Sequence, residues 1–193
     1  MNRKNITILV VVLAVLAGTF YIVSRPRPGA PQEPKEYVWL IEQEEIDRVT
    51  MSLPRENPPL SQSFVRIKQD DKFPWFFDDA KRTPVDAQRW GGGIPLLLSG
   101  PGADRVIADN ASAEQMTIFG FDQPLMVIDL ELTDQRRMRI DVGDSTPDGS
   151  NYYVKAPGLR AVATVDRTWY EVLSKLIVEP PYVPPPTTTT KAK

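Results

Sequence analysis

The stretch 125-LMVIDLELTDQRRMRIDV-142 decides the fold. Both of its halves alternate between apolar and mainly polar residues, a period of two that places one set on each face of a β-strand. The apolar set consists of Met126, Ile128, Leu130, Leu132, Met138, Ile140 and Val142. The sequence therefore predicts a β-hairpin with one face in a core.

The register of this hairpin follows from the need to keep both apolar sets on one face. A turn at Asp134–Arg136 achieves this by pairing Thr133 with Arg137. The same register places Asp129 opposite Asp141, a pair that is unfavourable in a sheet unless the strands splay or a cation lies there.

A second hairpin is predicted downstream of the first. Tyr152–Lys155 and Arg160–Val165 flank Ala156–Leu159. Inside this link, Pro157 and Gly158 suit the two central positions of a type II turn.

The remaining segments predict an α+β fold: an antiparallel sheet of hairpins, two packed helices and, before them, one N-terminal transmembrane helix. Helices are expected at Pro84–Ser99, with Thr83 as its cap, and at Thr168–Ile177, which carries one apolar stripe. Four earlier strands are expected, each β-branched or aromatic: Tyr37–Ile41, Ile46–Leu53, Ser63–Lys68 and Arg105–Ala108.

The N-terminal segment Ile6–Val23 contains no charged residue. As a helix it would reach about 27 Å, close to the thickness of a bilayer core. Because the preceding chain is short, we expect its N-terminus in the cytoplasm and the long C-terminal part outside. A cleaved signal peptide is the alternative, but bulky Phe20–Val23 and the following Arg25–Pro28 leave no suitable cleavage site.

The chain is predicted to have four parts: a cytoplasmic stub and anchor at 1–24, a proline-rich linker at 25–36, an extracytoplasmic domain at 37–178, and a disordered tail at 179–193. The linker and tail hold many of the 19 prolines. Within the tail, Pro184–Pro186 is interpreted as solvated chain, with a ligand for an aromatic groove as the alternative.

Composition argues against several function classes. The chain has no cysteine and no histidine, so it lacks thiolate chemistry, the commonest general base and the commonest zinc ligand. A net charge of −2 gives no basic surface for nucleic acid. We therefore expect no enzyme, no cofactor, no nucleic-acid partner and no small-molecule substrate.

Two motifs suggest ligands but have more ordinary interpretations. Gly91–Gly93 lacks the Lys-Ser/Thr of a phosphate loop, so it predicts a break in the first helix near Trp90. Asp141, Asp144 and Asp148 could bind Ca²⁺ weakly, but their spacing differs from that of an EF-hand. An ordinary turn between strands is the favoured interpretation of that segment.

Aromatic residues are the candidate partner-binding site: Trp39, Trp75, Phe76, Phe77 and Trp90. Consecutive large aromatics cannot all face one side of a strand, so we expect some of them to remain exposed. Packing in the core is the favoured interpretation, and a contact surface for a membrane partner is the alternative.

The segment Phe119–Pro124, FGFDQP, resembles the Gly-Leu-Asp-x-Pro signature of the domain of unknown function 4340, an uncharacterised bacterial family, with Phe121 in place of Leu. Ile140–Gly143 and Asn151–Val154 resemble further positions of that family, and the resemblance extends over roughly 36–178. It implies a membrane-tethered extracytoplasmic domain, in several relatives accompanying ABC-type export machinery, with no assigned catalytic residues.

Three functions compete. An accessory or assembly subunit docked on an integral membrane protein complex is favoured, because one anchor and a short spacer present a surface at a set height. A ligand- or envelope-binding module would need a concave pocket, and an enzyme would need a buried carboxylate pair.

Overall fold

The described part of the chain folds around one eight-stranded antiparallel sheet in the computed structural model, which describes residues 37–70, 72–90, 93–155, 158 and 160–183. The strands are β1 (Ile46–Leu53), β2 (Leu60–Arg66), β3 (Trp75–Phe77), β4 (Arg105–Ala108), β5 (Met126–Leu132), β6 (Arg137–Ser145), β7 (Asn151–Lys155) and β8 (Val162–Asp166). Their order across the sheet is β3-β2-β1-β5-β6-β7-β8-β4. The predicted α+β class is confirmed.

Four α-helices occur among the described residues: α1 (Ala87–Trp90), α2 (Gly93–Ser99), α3 (Ala113–Ile118) and α4 (Arg167–Val178). A 3-10 turn, Gln43–Glu45, precedes β1. In α4, Asp166 caps the first turn by accepting a hydrogen bond from the Thr168 amide at 2.6 Å. The helix packs against β1, β2, β7 and β8, and buries Trp169, Leu173, Leu176 and Ile177.

The β5–β6 hairpin forms as predicted, but its register differs. Asp129 lies opposite Arg139 rather than Asp141, so the predicted clash of carboxylates is wrong. The turn closes one residue earlier, because Gln135 adopts a φ of 67° and its amide donates to the Leu132 carbonyl at 2.8 Å. This two-residue change in pairing keeps the same side chains on the core face.

The predicted strand Tyr37–Ile41 does not join the sheet. Its residues run beside 99–101 instead, where the Val38 amide donates to Pro101 O at 3.1 Å and the Ile41 amide to Ser99 O at 2.8 Å. The indole of Trp39 turns inward and donates to Leu98 O at 2.8 Å. One buried side chain thus fixes this segment against the C-terminal end of α2.

The predicted helix Pro84–Ser99 begins later and is interrupted. Thr83 is not its cap, because the Asp86 carboxylate accepts the Gln88 amide at 2.9 Å and the helix starts at Ala87. Residues 84–85 pair with β3 instead. The predicted break near Trp90 agrees with the end of α1 there, and residues 91–92 lie outside the described part.

Two elements were not predicted from the sequence, β3 and α3. Helix α3 has a capping box, in which the Ser112 hydroxyl accepts the Gln115 amide at 3.1 Å and the Gln115 side chain accepts the Ser112 amide at 2.8 Å. The pattern Ser-x-x-Gln was therefore an available signal.

The predicted anchor at 1–24, the linker at 25–36 and tail residues 184–193 lie outside the described residues. Within the part that is described, no helix combines the length and the apolar character needed to cross a membrane. The start of the tail differs from the prediction of disorder, since residues 179–182 pack against the domain.

Candidate functional site

The five aromatic residues predicted to bind a partner lie mainly inside the domain. Four are buried, Trp39, Phe76, Phe77 and Trp90, with at most 8% of their surface exposed, and Trp75 is half-buried. Packing in the core is therefore confirmed for those four, and they form no exposed contact surface.

The structure divides these aromatics between two places. Near β3, Trp90 packs its ring 4.4 Å from that of Phe64 and 5.1 Å from that of Trp75, while Phe77 lies 5.2 Å from Phe64. Trp39 lies elsewhere, 6.1 Å from Trp169 of α4. The sequence argument failed because both faces of the short strand β3 are covered, so consecutive aromatics can all be enclosed.

The segment that resembles the family signature has a structural role. A Cβ on Gly143 would lie 2.0 Å from the Phe119 carbonyl oxygen, which accepts the Asp144 amide at 2.8 Å. Gly120 adopts a φ of 82°, a conformation that strongly favours glycine. These two glycines permit the signature loop to lie directly on β6.

Arg55, in the link between β1 and β2, holds the same loop. Its guanidinium donates to Gln123 O at 2.5 Å and Gly120 O at 3.2 Å, and it pairs with the Asp144 carboxylate at 2.6 Å. Each of the three guanidinium nitrogens therefore contacts an oxygen atom within the fold.

The three aspartates considered for weak calcium binding have separate partners. Asp141 pairs with Arg139 at 2.9 Å and Lys155 at 2.7 Å, whereas Asp144 pairs with Arg55. Asp148 accepts from Thr146 and Ser150 within its own turn. Across the described residues, no group of three or more acidic side chains is placed to hold a metal ion.

A shallow charged concavity of about 580 Å³ lies on the sheet face opposite the core. Its lining side chains include Arg48, Thr50, Asp129, Glu131 and Arg137. Ion pairs join Arg48 to Glu131 at 3.3 Å and Arg137 to Glu131 at 3.7 Å. Because these are exposed pairs, each contributes at most about 1 kcal/mol and is screened by salt.

A polar cleft of about 470 Å³ lies beside β4. The side chains of Asp104, Arg105 and Asn151 line it, and none of the three makes a hydrogen bond or ion pair with other described residues. Asp148 lies in the same cleft, where the Thr146 hydroxyl and then the Ser150 amide and hydroxyl lower its pKa to about 2. Three of the polar side chains that line this cleft are therefore free to contact a bound molecule.

The cleft adjoins an open sheet edge. Strand β4 pairs with β8, and no other described segment pairs with its outer side. Val106 on this strand is 42% exposed. An extended chain could therefore add to the sheet here and place side chains in the cleft.

The sequence comparisons identify a family for the second half of the domain. Residues 95–176 match the model of the Domain of unknown function (DUF4340), a shorter stretch than the resemblance suggested. The match covers the signature loop, β4 to β8 and nearly all of α4. No curated protein and no solved structure matches the chain. Residues 95–176 of this chain therefore form a DUF4340 domain.

Proposed function

We propose that this protein is a non-catalytic, membrane-anchored accessory or assembly subunit that docks its extracytoplasmic domain on a larger membrane protein complex. Support for the anchor comes from the uncharged segment Ile6–Val23. Support for docking comes from the folded domain, and the open edge of β4 is the observation that carries it.

An edge strand offers a row of unpaired backbone donors and acceptors. At β4 these groups lie next to a cleft with free Asp104, Arg105 and Asn151 side chains. In strand addition, main-chain hydrogen bonds provide affinity and adjacent pockets select the side chains. The partner is accordingly an extended segment from the extracytoplasmic part of an integral membrane protein.

The shape of β4 limits what can bind. The strand is four residues long and its register shifts between Val106 and Ala108. Short, irregular edges resist indiscriminate strand pairing. A partner segment must match this shift, and that requirement favours one specific partner over aggregation.

The test is a mild-detergent pull-down of tagged full-length protein from its native membrane, followed by mass identification. We compare the wild type with Val106→Lys, which places a charge on the open edge, and with Ile118→Lys, the same kind of change at an apolar side chain that is 65% exposed on α3. The wild type and Ile118→Lys should recover one stoichiometric partner, and Val106→Lys should lose most of it.

Two results would count against the proposal. If all three proteins are recovered as a lone small species, there is no stable complex. If Val106→Lys retains the partner at wild-type yield, docking does not use β4.

A second candidate function is an extracytoplasmic ligand- or envelope-binding module, favoured by the free polar groups of the cleft. Asp104, Arg105 and Asn151 could bind a polar ligand without a protein partner. A lone species in the pull-down, together with a thermal shift on adding envelope saccharide that Asn151→Ala abolishes, would support this function instead.

A further inference from the structure

Two exposed apolar side chains lie at the point where the described chain begins. Tyr37 is 53% exposed and Leu40 is 69% exposed. They are neighbours, since a Cβ on Gly100 would lie 3.4 Å from Tyr37 Cδ1 and 2.9 Å from Leu40 Cδ1. We call Tyr37 and Leu40 the entry patch.

The backbone of the entry patch is held against the domain. Backbone hydrogen bonds join Val38 to Pro101 and Ile41 to Ser99. Trp39, which lies between the two patch residues in the sequence, is buried. Val38 and Ile41 are partly buried against the core, whereas Tyr37 and Leu40 remain exposed. The patch is therefore fixed in position on the surface of the domain.

Acidic residues follow the patch. Glu42, Glu44 and Glu45 lie in and before the 3-10 turn, and the Gln43 side chain donates to Glu44 at 2.8 Å and lowers its pKa. A tyrosine with an apolar neighbour suits the headgroup region of a bilayer, and the adjacent glutamates oppose deep insertion into hydrocarbon.

The tether keeps the patch near a membrane. Residues 24–36 separate the uncharged segment from Tyr37, and a chain of that length spans at most about 45 Å. Attachment through a short linker gives an effective concentration on the order of millimolar. Two side chains bind a membrane too weakly to hold a free protein there. When the linker keeps them close to the lipid, the same weak contact is sufficient to hold the domain on the surface.

We infer that Tyr37 and Leu40 contact the headgroup region of the same membrane that holds residues 6–23, so that the domain rests on the lipid surface at its entry patch. The inference rests on the anchoring part of the proposed function and is independent of docking through β4. Resting on lipid restricts the rotation of the domain, which reduces the entropy lost when a partner binds.

The test uses the absence of cysteine in the natural chain. Leu40→Cys and the control Ile118→Cys are each labelled with the polarity-sensitive fluorophore NBD, and the full-length proteins are reconstituted in phosphatidylcholine vesicles. Position 118 is a matched control because Ile118 is 65% exposed. Quenching is measured with lipids that carry a doxyl group near the headgroup or deep in the acyl chain.

The label at position 40 should be quenched about twofold or more strongly than the label at 118, and more by the shallow than by the deep quencher. Adding Tyr37→Ser to the Leu40→Cys protein should reduce this quenching. Equal quenching at positions 40 and 118, or none at 40, overturns the inference.

Extraction with alkaline carbonate separates this inference from the proposed anchor. If the labelled protein stays in the membrane pellet while position 40 is not quenched, only the entry-patch inference fails. If carbonate releases the protein, the anchor itself fails, and the inference fails with it.

Discussion

The two edges of the sheet differ in whether other parts of the chain lie against the edge strand. At the β3 edge, residues 83–85 pair alongside the strand, and residues 180–182 pass next to them. The ring of Tyr182 stacks on Phe77 at 4.4 Å, and Arg89 donates to the carbonyl oxygens of residues 179 and 180. Two separate parts of the chain, residues 83–89 and 179–182, thus lie at this edge.

At the β4 edge, no described segment pairs with the outer side of the strand, and a polar cleft opens beside it. The covered edge is rich in aromatic contacts, whereas the open edge carries Arg105 and a partly exposed Val106. The main role of side chains at the covered edge is therefore to stabilise the fold. Those at the open edge can change with little cost to the fold, so they are available for binding.

The largest expected effect is at the covered side. Trp90→Ala removes a side chain that is 4% exposed and contacts Phe64 and Trp75, and it should lower the free energy of unfolding by about 3–5 kcal/mol through lost transfer energy and a cavity. The measurement is urea unfolding of the full-length protein in mild detergent, followed by far-ultraviolet circular dichroism. Val106→Ala is the control, and a similar loss in both variants would remove the contrast between the edges.

The substitution Tyr182→Ala tests how much residues 180–182 contribute to the stability of the domain. The stacked pair with Phe77 should contribute about 1–2 kcal/mol, because Tyr182 remains 53% exposed and buries only part of its ring. Val183→Ala, at a neighbour that is 55% exposed, serves as the matched control in the same unfolding assay. If both substitutions cost the same, residues 180–182 do not stabilise the β3 edge.

Acid sensitivity at the open edge is expected from Asp148. Its pKa in the folded protein is lowered from 3.8 to about 2, so its stabilising contribution is fully present above pH 4 and is lost as the pH falls to about 2. The difference in unfolding free energy between wild type and Asp148→Asn should be constant from pH 7 to 5 and shrink below pH 4. A difference that does not change with pH would show that the hydrogen bonds to Thr146 and Ser150 are absent in solution.

The smallest effect on stability is expected for Val106→Lys. The side chain lies on an open edge and a long lysine can extend into solvent, so the free energy of unfolding should change by less than about 0.5 kcal/mol. The same urea assay measures it, with the wild type as reference. A loss above about 1 kcal/mol would mean that β4 is part of the stabilising core, and the binding test with this variant would then need a milder substitution.

Much of the sheet and the last helix could be predicted locally. The bounds of β1 and β4 agree with the prediction to the residue, and α4 extends one residue further at each end. Hydrophobic periodicity and a capping residue such as Asp166 are local signals. The apolar positions of these elements are also the buried ones in the structure. Elements without such a pattern, such as the three-residue β3, could not be found this way.

Candidate sites were harder to predict, because exposure depends on what covers a residue. Part of the aromatic segment at β3 was expected to remain exposed, but Trp90 from α1 and Tyr182 from the chain end lie against it. The cleft at β4 had no signal at all, since Arg105 and Asn151 are distant in sequence and meet only through β8 and β7.

The sequence by itself determined the α+β class, the central hairpin with its buried face and the apolar stripe of helix α4. Each depends on side-chain periodicity within one or two neighbouring elements. The glycine at position 143 is required by a tertiary contact, because a Cβ there would lie 2.0 Å from the Phe119 carbonyl oxygen. Tertiary structure alone decided the strand order, the two-residue change of register, the burial of the aromatics and the contrast between a covered and an open edge. These depend on contacts between residues that lie tens of positions apart, and alternation along one strand carries no information about which strand or loop will lie beside it.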